Sequence, residues 1–348
     1  LKRAIKGIDR QESIQMNNQN QYKKKIRFAT IGTNFITEWF LEAAKKCSNL
    51  EYAAVYSRHE ETAQQFAAKH GAKRYETDLH LLAQADDIDA VYVASPNSLH
   101  CEQSILMMEH GKHVLCEKPI ASNTAELKRM LDSAEKNQVV LLEAIRNVFD
   151  PGFEAVKDNL PKLGKIRRVS FQYCQYSSRF DKFKAGNIEN AFKTELSNGA
   201  LMDIGVYCVH ALVKLFGKPD TIHAEGVILK DSIDGSGTIL AGYPEMQAEL
   251  IYSKISNSKI PSQIQGEAAT MVIREISDIQ EIEIYYNNGK SEKIIIKKEP
   301  SMYYETKEWA AFIENGLTAK EYNRYSLIAL ALMDEARSQQ NIVFPADQ

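Results

Sequence analysis

The residues best suited to chemistry fall in two clusters far apart in the chain. One is His113-Val114-Leu115-Cys116-Glu117-Lys118-Pro119, an apolar run ending on a charged pair and closed by a proline. Proline has no N–H to give a sheet, so the run reads as a buried strand that stops there. Lys118 then stands at the carboxyl edge of a sheet, where open α/β sheets bind ligands, and its ammonium can polarise a reacting oxygen or have its pKa lowered. The other cluster is Asn198-Gly199-Ala200-Leu201-Met202-Asp203-Ile204-Gly205-Val206-Tyr207-Cys208-Val209-His210. Asp203 and Tyr207, at i and i+4, share one helix face. A phenol beside a lysine can give and take a proton, and a carboxylate can orient either group. Gly205 lowers helix stability by about 1 kcal/mol, which a close approach of backbone or ligand would explain. The plainer readings are a solvated Glu-Lys pair and an amphipathic core helix with Tyr207 hydrogen-bonded at its edge.

A third group suits a dinucleotide. Ile31-Gly32-Thr33-Asn34-Phe35-Ile36-Thr37 links a strand to a helix, where a phosphate-binding turn sits. The pattern G-x-G-x-x-G is reduced to Gly32, with Asn34 and Thr37 in the other glycine positions. Asn tolerates left-handed backbone angles, and the helix N-terminus still offers N–H groups to a pyrophosphate. Alternatively, the segment is a plain turn capped by Thr33 or Asn34. After the second strand the chain reads Tyr56-Ser57-Arg58, with no carboxylate for a ribose 2′-hydroxyl. An arginine there pairs well with a phosphate, which favours NADP(H) over NAD(H) unless Arg58 merely opens a solvated helix. Ser95-Pro96-Asn97-Ser98-Leu99-His100 follows a later strand on the same edge. Asn97 can cap the helix or bind a ligand, and His100 can be structural or functional.

These residues need a scaffold that alternates strands with helices. Strands are expected over 26–31, 51–56, 88–94, 113–117 and 139–142, with helices over 35–46, 60–70, 98–110 and 124–137. That alternation indicates βαβ units and a doubly wound parallel sheet, a Rossmann domain over 26–146. Beyond Pro151 strands dominate, at 166–176, 220–229, 238–241, 246–252, 269–275, 281–286 and 292–296, with a hairpin signal at Asn287-Asn288-Gly289. Helical patterns return near 151–160, 199–216, 303–315 and 323–340. Residues 147–348 are thus expected to form a substrate and oligomerisation domain of α+β type. Its open, mostly antiparallel sheet would be covered by helices on one face.

Composition bounds the rest. The 348 residues suffice for two domains, and 43 basic against 46 acidic side chains give a net charge of −3. Nothing in that balance suggests nucleic acid or an acidic membrane surface, and no uninterrupted apolar run approaches the roughly 18 residues of a membrane span. Cys47, Cys101, Cys116, Cys174 and Cys208 lack C-x-x-C spacing, which favours reduced thiols in a cytoplasm and argues against a zinc site. Residues 1–25 are polar, lack a secretory core and are expected to be a disordered or extension tail, with Met16 the natural start and the residues before it an upstream extension.

Taken together, the Gly32 turn, Ser95 to His100, Cys116-Glu117-Lys118-Pro119 and Gly199 to Tyr207 resemble the Gfo/Idh/MocA oxidoreductase family from Ile26 to Phe344. The Asp-x-Gly-x-Tyr form is similar to the dihydrodiol and sugar dehydrogenase branch. The resemblance implies a nicotinamide facing Lys118, Asp203 and Tyr207, with Tyr207 the general acid/base. Gly32 to Ile36, Ser57, Arg58, Ser95 to Asn97, His100 and Glu117 would lie along the dinucleotide. It further implies hydride transfer with a sugar-like or polyol secondary alcohol or ketone, and dimers through the open sheet. Two other readings remain open on sequence alone: a glycosidase that oxidises its substrate transiently on NAD, and a non-catalytic dinucleotide sensor. Many relatives read Arg-Phe-His-Pro where this chain has Asn147-Val148-Phe149-Asp150-Pro151. Arg179, Asp181, Asn187 and Asn190 are either pocket or surface residues.

Overall fold

A computed structural model describes residues 25–300 and 302–348, so nearly all of the polar N-terminal stretch, including Met16, lies outside the described residues. The first domain runs β1 (Ile26–Ile31), α1 (Phe35–Ala44), β2 (Leu50–Tyr56), α2 (Glu60–His70), β3 (Arg74–Glu76), α3 (Leu79–Gln84), β4 (Ala90–Val93), α4 (His100–Glu109), β5 (His113–Glu117), α5 (Thr124–Lys136) and β6 (Leu141–Ala144). The strands form one parallel sheet in the order β3-β2-β1-β4-β5-β6. Every residue of β4 is buried, as expected of a central strand covered on both faces. The strand order reverses between β1 and β4, which opens a crevice at their carboxyl ends.

The second domain begins with α6 (Pro151–Asn159), where Asp150 caps the helix by accepting from the Gly152 N–H at 2.7 Å. There follow β7 (Ile166–Cys174), α7 (Phe180–Lys184) and a π-helical turn, Leu201–Gly205, that runs into α8 (Val206–Phe216). Then come β8 (Thr221–Ile228), β9 (Asp234–Gly242), β10 (Gln247–Ser253), β11 (Ser262–Gly266), β12 (Ala269–Ile273), β13 (Glu281–Tyr286), β14 (Ser291–Ile295), α9 (Tyr303–Glu314) and α10 (Lys320–Gln339). Eight strands make a mixed sheet, β14-β13-β12-β11-β7-β10-β9-β8, in which only β7 and β10 pair parallel. Register puts Glu225, Thr238, Ile251, Gln172, Gln263, Val272, Glu283 and Lys293 on its open face. The other face packs on α6, α8 and α10 and carries the buried set Phe171, Ile239, Leu250, Ile264, Met271 and Ile284.

The sequence reading missed β3, α3, α7 and β11. β3 is three half-buried residues, too short to alternate visibly. β11 reads Ser-Gln-Ile-Gln-Gly and buries Ser262 and Ile264, a pattern too polar to stand out. The stretch Thr194–Phe216 is long and apolar enough on average to cross a membrane, contrary to the sequence expectation, but 78% of the apolar window is buried inside the fold. The chain also doubles back: α9 buries Trp309 against Phe40 of α1, whose ring stacks on Tyr92 of β4. Full burial of such an indole stabilises the junction by about 2–3 kcal/mol.

Candidate active site

β5 ends at Glu117 and the Lys118–Pro119 peptide that follows is cis. Glu117 is buried, its Oε1 accepting from the Tyr92 hydroxyl at 2.6 Å, and burial pushes its carboxyl up. Lys118 reaches across to the second domain. Its Nζ donates to the Asp203 carbonyl at 2.5 Å and to Asp203 Oδ1 at 3.0 Å, and lies 5.1 Å from the Tyr207 ring centroid. Burial works against this charge, but Tyr207, Asp203 and Glu117 outweigh it and hold the ammonium above its ordinary range. Lys118 is therefore a cation at neutral pH and not a base.

The opposing wall is the start of α8. Asp234, from β9, is fully buried and its Oδ2 accepts from the Leu201 N–H at 2.7 Å, so a distant strand caps this helix. Gly199 permits the approach: at φ +144° a Cβ there would lie 1.9 Å from Asp234 Oδ1. A uniform helix was expected over 199–216; the first turn is instead a wide π turn carrying Asp203, a feature frequent at functional sites. Gly205 is explained by packing, since a Cβ would meet the Tyr252 ring at 3.0 Å, and not by a ligand. Asp203 also pairs through Oδ2 with Lys254 at 2.8 Å. Burial favours its neutral acid, but the two lysines outweigh that and keep the carboxylate ionised well below the usual range.

The dinucleotide end is built on β1, β2 and β4. Gly32 has φ +112°, and a Cβ would lie 2.6 Å from the Ala94 carbonyl, so only glycine fits. Asn34 is extended (φ −87°, ψ 176°) and not left-handed. Its Oδ1 accepts from the Ile36 and Thr37 N–H groups and its Nδ2 donates to Ala94 O, so the side chain caps α1 and ties the turn to β4. Two N–H groups expected to face a pyrophosphate are thus already engaged.

One cleft of about 900 Å³ crosses the carboxyl ends of these strands and reaches α8. Its walls include Gly32 to Ile36, Ser57, Arg58, Ser95 to Asn97, His100, Glu117, Lys118, Asp203 and Tyr207. His100 is fully buried in the wall, its ring nitrogens 2.9 Å from the Ser95 and Pro119 carbonyls, so it braces the Lys118 turn. Asn97 bridges the domains, donating to the Ser197 carbonyl at 3.0 Å and Asn198 Oδ1 at 3.1 Å. Arg179 and Asn190 line the cleft, whereas Asp181 lies outside it on the Tyr176 hydroxyl at 2.7 Å, and Asn187 is also outside. A cleft along the strand ends, with the Gly32 turn after β1 standing between Arg58 after β2 and Lys118 after β5, fits a dinucleotide. Among the described residues no group of His, Cys, Asp and Glu is arranged to hold a metal.

Among the wall residues that escaped the sequence reading are Arg146, Tyr173 and Gln175. The Arg146 guanidinium lies 5.5 Å over the Tyr207 ring, which also has the Lys118 ammonium 5.1 Å from its centroid. Its only sequence signal was a position just after β6, at the same carboxyl edge. In the segment that departs from the relatives' pattern, Asn147 is structural, donating to the Tyr207 and Ile276 carbonyls at 3.2 and 3.1 Å.

Comparison with known proteins adds to this geometry. Residues 26–144 match the Gfo/Idh/MocA oxidoreductase family with an NAD-binding Rossmann fold, and residues 160–272 match the GFO/IDH/MocA C-terminal domain. The chain is 49% identical over 326 residues, 93% of its length and 99% of the relative's, to scyllo-inositol 2-dehydrogenase (NADP(+)) IolU of Bacillus subtilis. It is 27% identical over 337 residues to trans-1,2-dihydrobenzene-1,2-diol dehydrogenase of Xenopus tropicalis, covering 89% of this chain and 99% of that one. In fold it matches KijD10, a 3-ketoreductase from Actinomadura kijaniata solved with NADP and TDP-benzene, at a TM-score of 0.82 and 22% identity, over 91% of this chain and 98% of that one.

Proposed function

The chain belongs to the Gfo/Idh/MocA oxidoreductase family, and on that premise we propose that it interconverts a secondary alcohol of a cyclic polyol or sugar with its ketone, using NADP(H). The observation that carries this reading is the meeting of Lys118, Asp203 and Tyr207 in a cleft that Ser57-Arg58 also lines, three strands away across the sheet. The nicotinamide, when bound, supplies the hydride acceptor or donor. The protein's part is binding, orientation and the proton. Gly32 to Ile36, Ser95 to Asn97 and Glu117 would hold the dinucleotide along the strand ends. Arg58, with Ser57, would take a 2′-phosphate, since no carboxylate follows β2 to select a free ribose hydroxyl.

In reduction the Tyr207 hydroxyl donates its proton to the substrate oxygen that becomes the alcohol, leaving a phenolate; in oxidation that phenolate takes the proton back as the ketone forms. Lys118, held as a cation, stabilises the negative charge that develops on the substrate oxygen. Asp203 fixes Lys118 by both its carboxylate and its carbonyl. Arg146 packs on the Tyr207 ring and helps keep it in place. The polyol class rests on the activity named for the 49%-identical relative and on the polar wall formed by Tyr173, Gln175, Arg179 and Asn190.

The assembly we propose is a homodimer through the open face of the mixed sheet. Leu240 and Ile295 on that face are 54% and 63% exposed, and apolar groups so placed suit burial against a second copy. A reducing cytoplasm suits the five thiols, all free among the described residues. The experiment is a fluorescence titration with NADPH and NADH, followed by turnover on inositols and cyclic sugars. Tight NADPH binding with turnover on a polyol is expected. Binding of neither nucleotide would overturn the assignment, and NADH preference would remove Arg58 from the site.

A further inference from the structure

Lys254 follows β10 and is only 3% exposed. Its ammonium pairs with Asp203 Oδ2 at 2.8 Å, donates to the Ala191 carbonyl at 2.7 Å and lies 4.6 Å over the Phe192 ring. The other Asp203 oxygen serves Lys118 at 3.0 Å. One carboxylate therefore bridges two lysines, one from each sheet. A buried ammonium is unfavourable unless paired, and Asp203 already has a cationic partner in Lys118. Electrostatic need alone does not account for a second lysine at this point.

What the second lysine adds is a connection. Ala191 and Phe192 belong to the segment 179–192, which presents Arg179, Glu189 and Asn190 to the cleft. The rings of Phe180, Phe183 and Phe192 pack together within this segment at 5.2–6.1 Å between centroids, so it is held together by its own aromatic cluster. Lys254 is the side chain that fastens that unit to Asp203.

We propose that Lys254 is a positioning residue: it latches the substrate-side wall segment 179–192 to Asp203, and thereby sets the orientation in which Asp203 holds Lys118. This rests on the reading that Lys118, Asp203 and Tyr207 form the reacting centre. A substrate seated against the segment would then align the catalytic ammonium through one chain of contacts, Ala191 to Lys254 to Asp203 to Lys118. The other charged and titratable groups around this chain are Tyr207 on α8, Tyr173 on β7, Arg146 after β6, Glu117 on β5 and Asp234 on β9.

The test compares Lys254→Met, Lys254→Arg, Asp203→Asn and the Met/Asn double variant with the wild type. Lys254→Met is expected to leave NADPH affinity unchanged and to lower kcat/KM for the polyol on the order of a hundredfold, the scale of a small misplacement in a reacting centre. With one of its two cations gone, Asp203 protonates more easily, so the acidic limb of the kcat/KM profile moves to higher pH. Lys254→Arg, which keeps the charge, restores most of the rate. The double variant is no worse than Asp203→Asn alone, because both changes break one chain. Amide exchange across 186–196 quickens in Lys254→Met. An unmoved pH profile, independent losses that multiply in the double variant, or unchanged exchange would each overturn the latch. Absence of polyol turnover in the wild type would instead sink the proposed reaction, and the exchange measurement would still decide the latch.

Discussion

Lys118 sets its ammonium 2.5 Å from the carbonyl and 3.0 Å from the carboxylate of Asp203, so one residue satisfies it through both backbone and side chain. The contact joins the end of β5 in the parallel sheet to the π turn ahead of α8 in the second domain. Two halves of the fold therefore share one polar junction, and the junction lines the cleft.

Lys118→Met and Tyr207→Phe are expected to separate binding from chemistry. On the roles proposed for them, removing the cation loses charge stabilisation and removing the phenol loses the proton carrier. Each should lower kcat by about 10²–10⁴-fold. Dinucleotide affinity should survive in both, since the Gly32 turn and Arg58 are untouched. Stopped-flow single turnovers beside fluorescence titration make the distinction. Normal turnover in either variant would remove that residue from the centre.

Arg58→Ala tests the nucleotide preference. The guanidinium is exposed at the end of the cleft after β2. A charge-assisted hydrogen bond to a 2′-phosphate contributes about 1.5–3 kcal/mol, so NADPH affinity should fall roughly ten- to a hundredfold while NADH affinity stays. Equal loss for both nucleotides would mean that Arg58 does not read the phosphate.

The parts of this site that were legible in the sequence carry a local signature. Pro119 ends β5 because it lacks an N–H, and Gly32 opens the first turn because a side chain would strike Ala94. Asp203 and Tyr207 announced themselves by helical spacing. What stayed hidden is what depends on distant partners. Lys254 reads as a surface lysine after a strand until Asp203 is seen beside it. Asp234 reads as a turn residue in Asp-Gly-Ser-Gly, yet it caps the helix that carries Asp203. The π turn was invisible because Leu-Met-Asp-Ile-Gly has the same apolar spacing as an α-helix; the Tyr252 ring against Gly205 comes from β10.

Gly199→Ala should damage both stability and rate. Its φ of +144° is one that L side chains rarely adopt, and the added carbon would fall 1.9 Å from Asp234 Oδ1. Neither backbone nor the buried carboxylate can yield without releasing the Leu201 N–H. The expected loss is roughly 2–4 kcal/mol by denaturant unfolding, with a lower kcat as Asp203 shifts. Gly205→Ala, which meets only side chains at 3.0 Å, should cost less. A smaller effect at Gly199 than at Gly205 would contradict the cap.

Asp234 also gives the fold a pH dependence of definite sign. Burial pushes its carboxyl up to about 6, against the opposing effect of the Leu201 N–H. In the unfolded chain an aspartate gives up its proton near pH 3.9. Between those values the folded protein keeps a proton that the unfolded chain has released. This group's contribution to stability is thus fully present below about pH 4 and is lost as pH rises through about 6. The interval corresponds to on the order of 2–3 kcal/mol. Asp234→Asn replaces the carboxyl with an uncharged amide that still offers an oxygen to Leu201, so it should lack this dependence. Unfolding free energies of the wild type and the variant, measured from pH 4 to 7, should draw together or cross in the variant's favour as pH rises. A difference that stays constant across that range would mean the Asp234 carboxyl is ionised throughout in the folded protein, with its charge carried by the helix start and by Lys254 nearby.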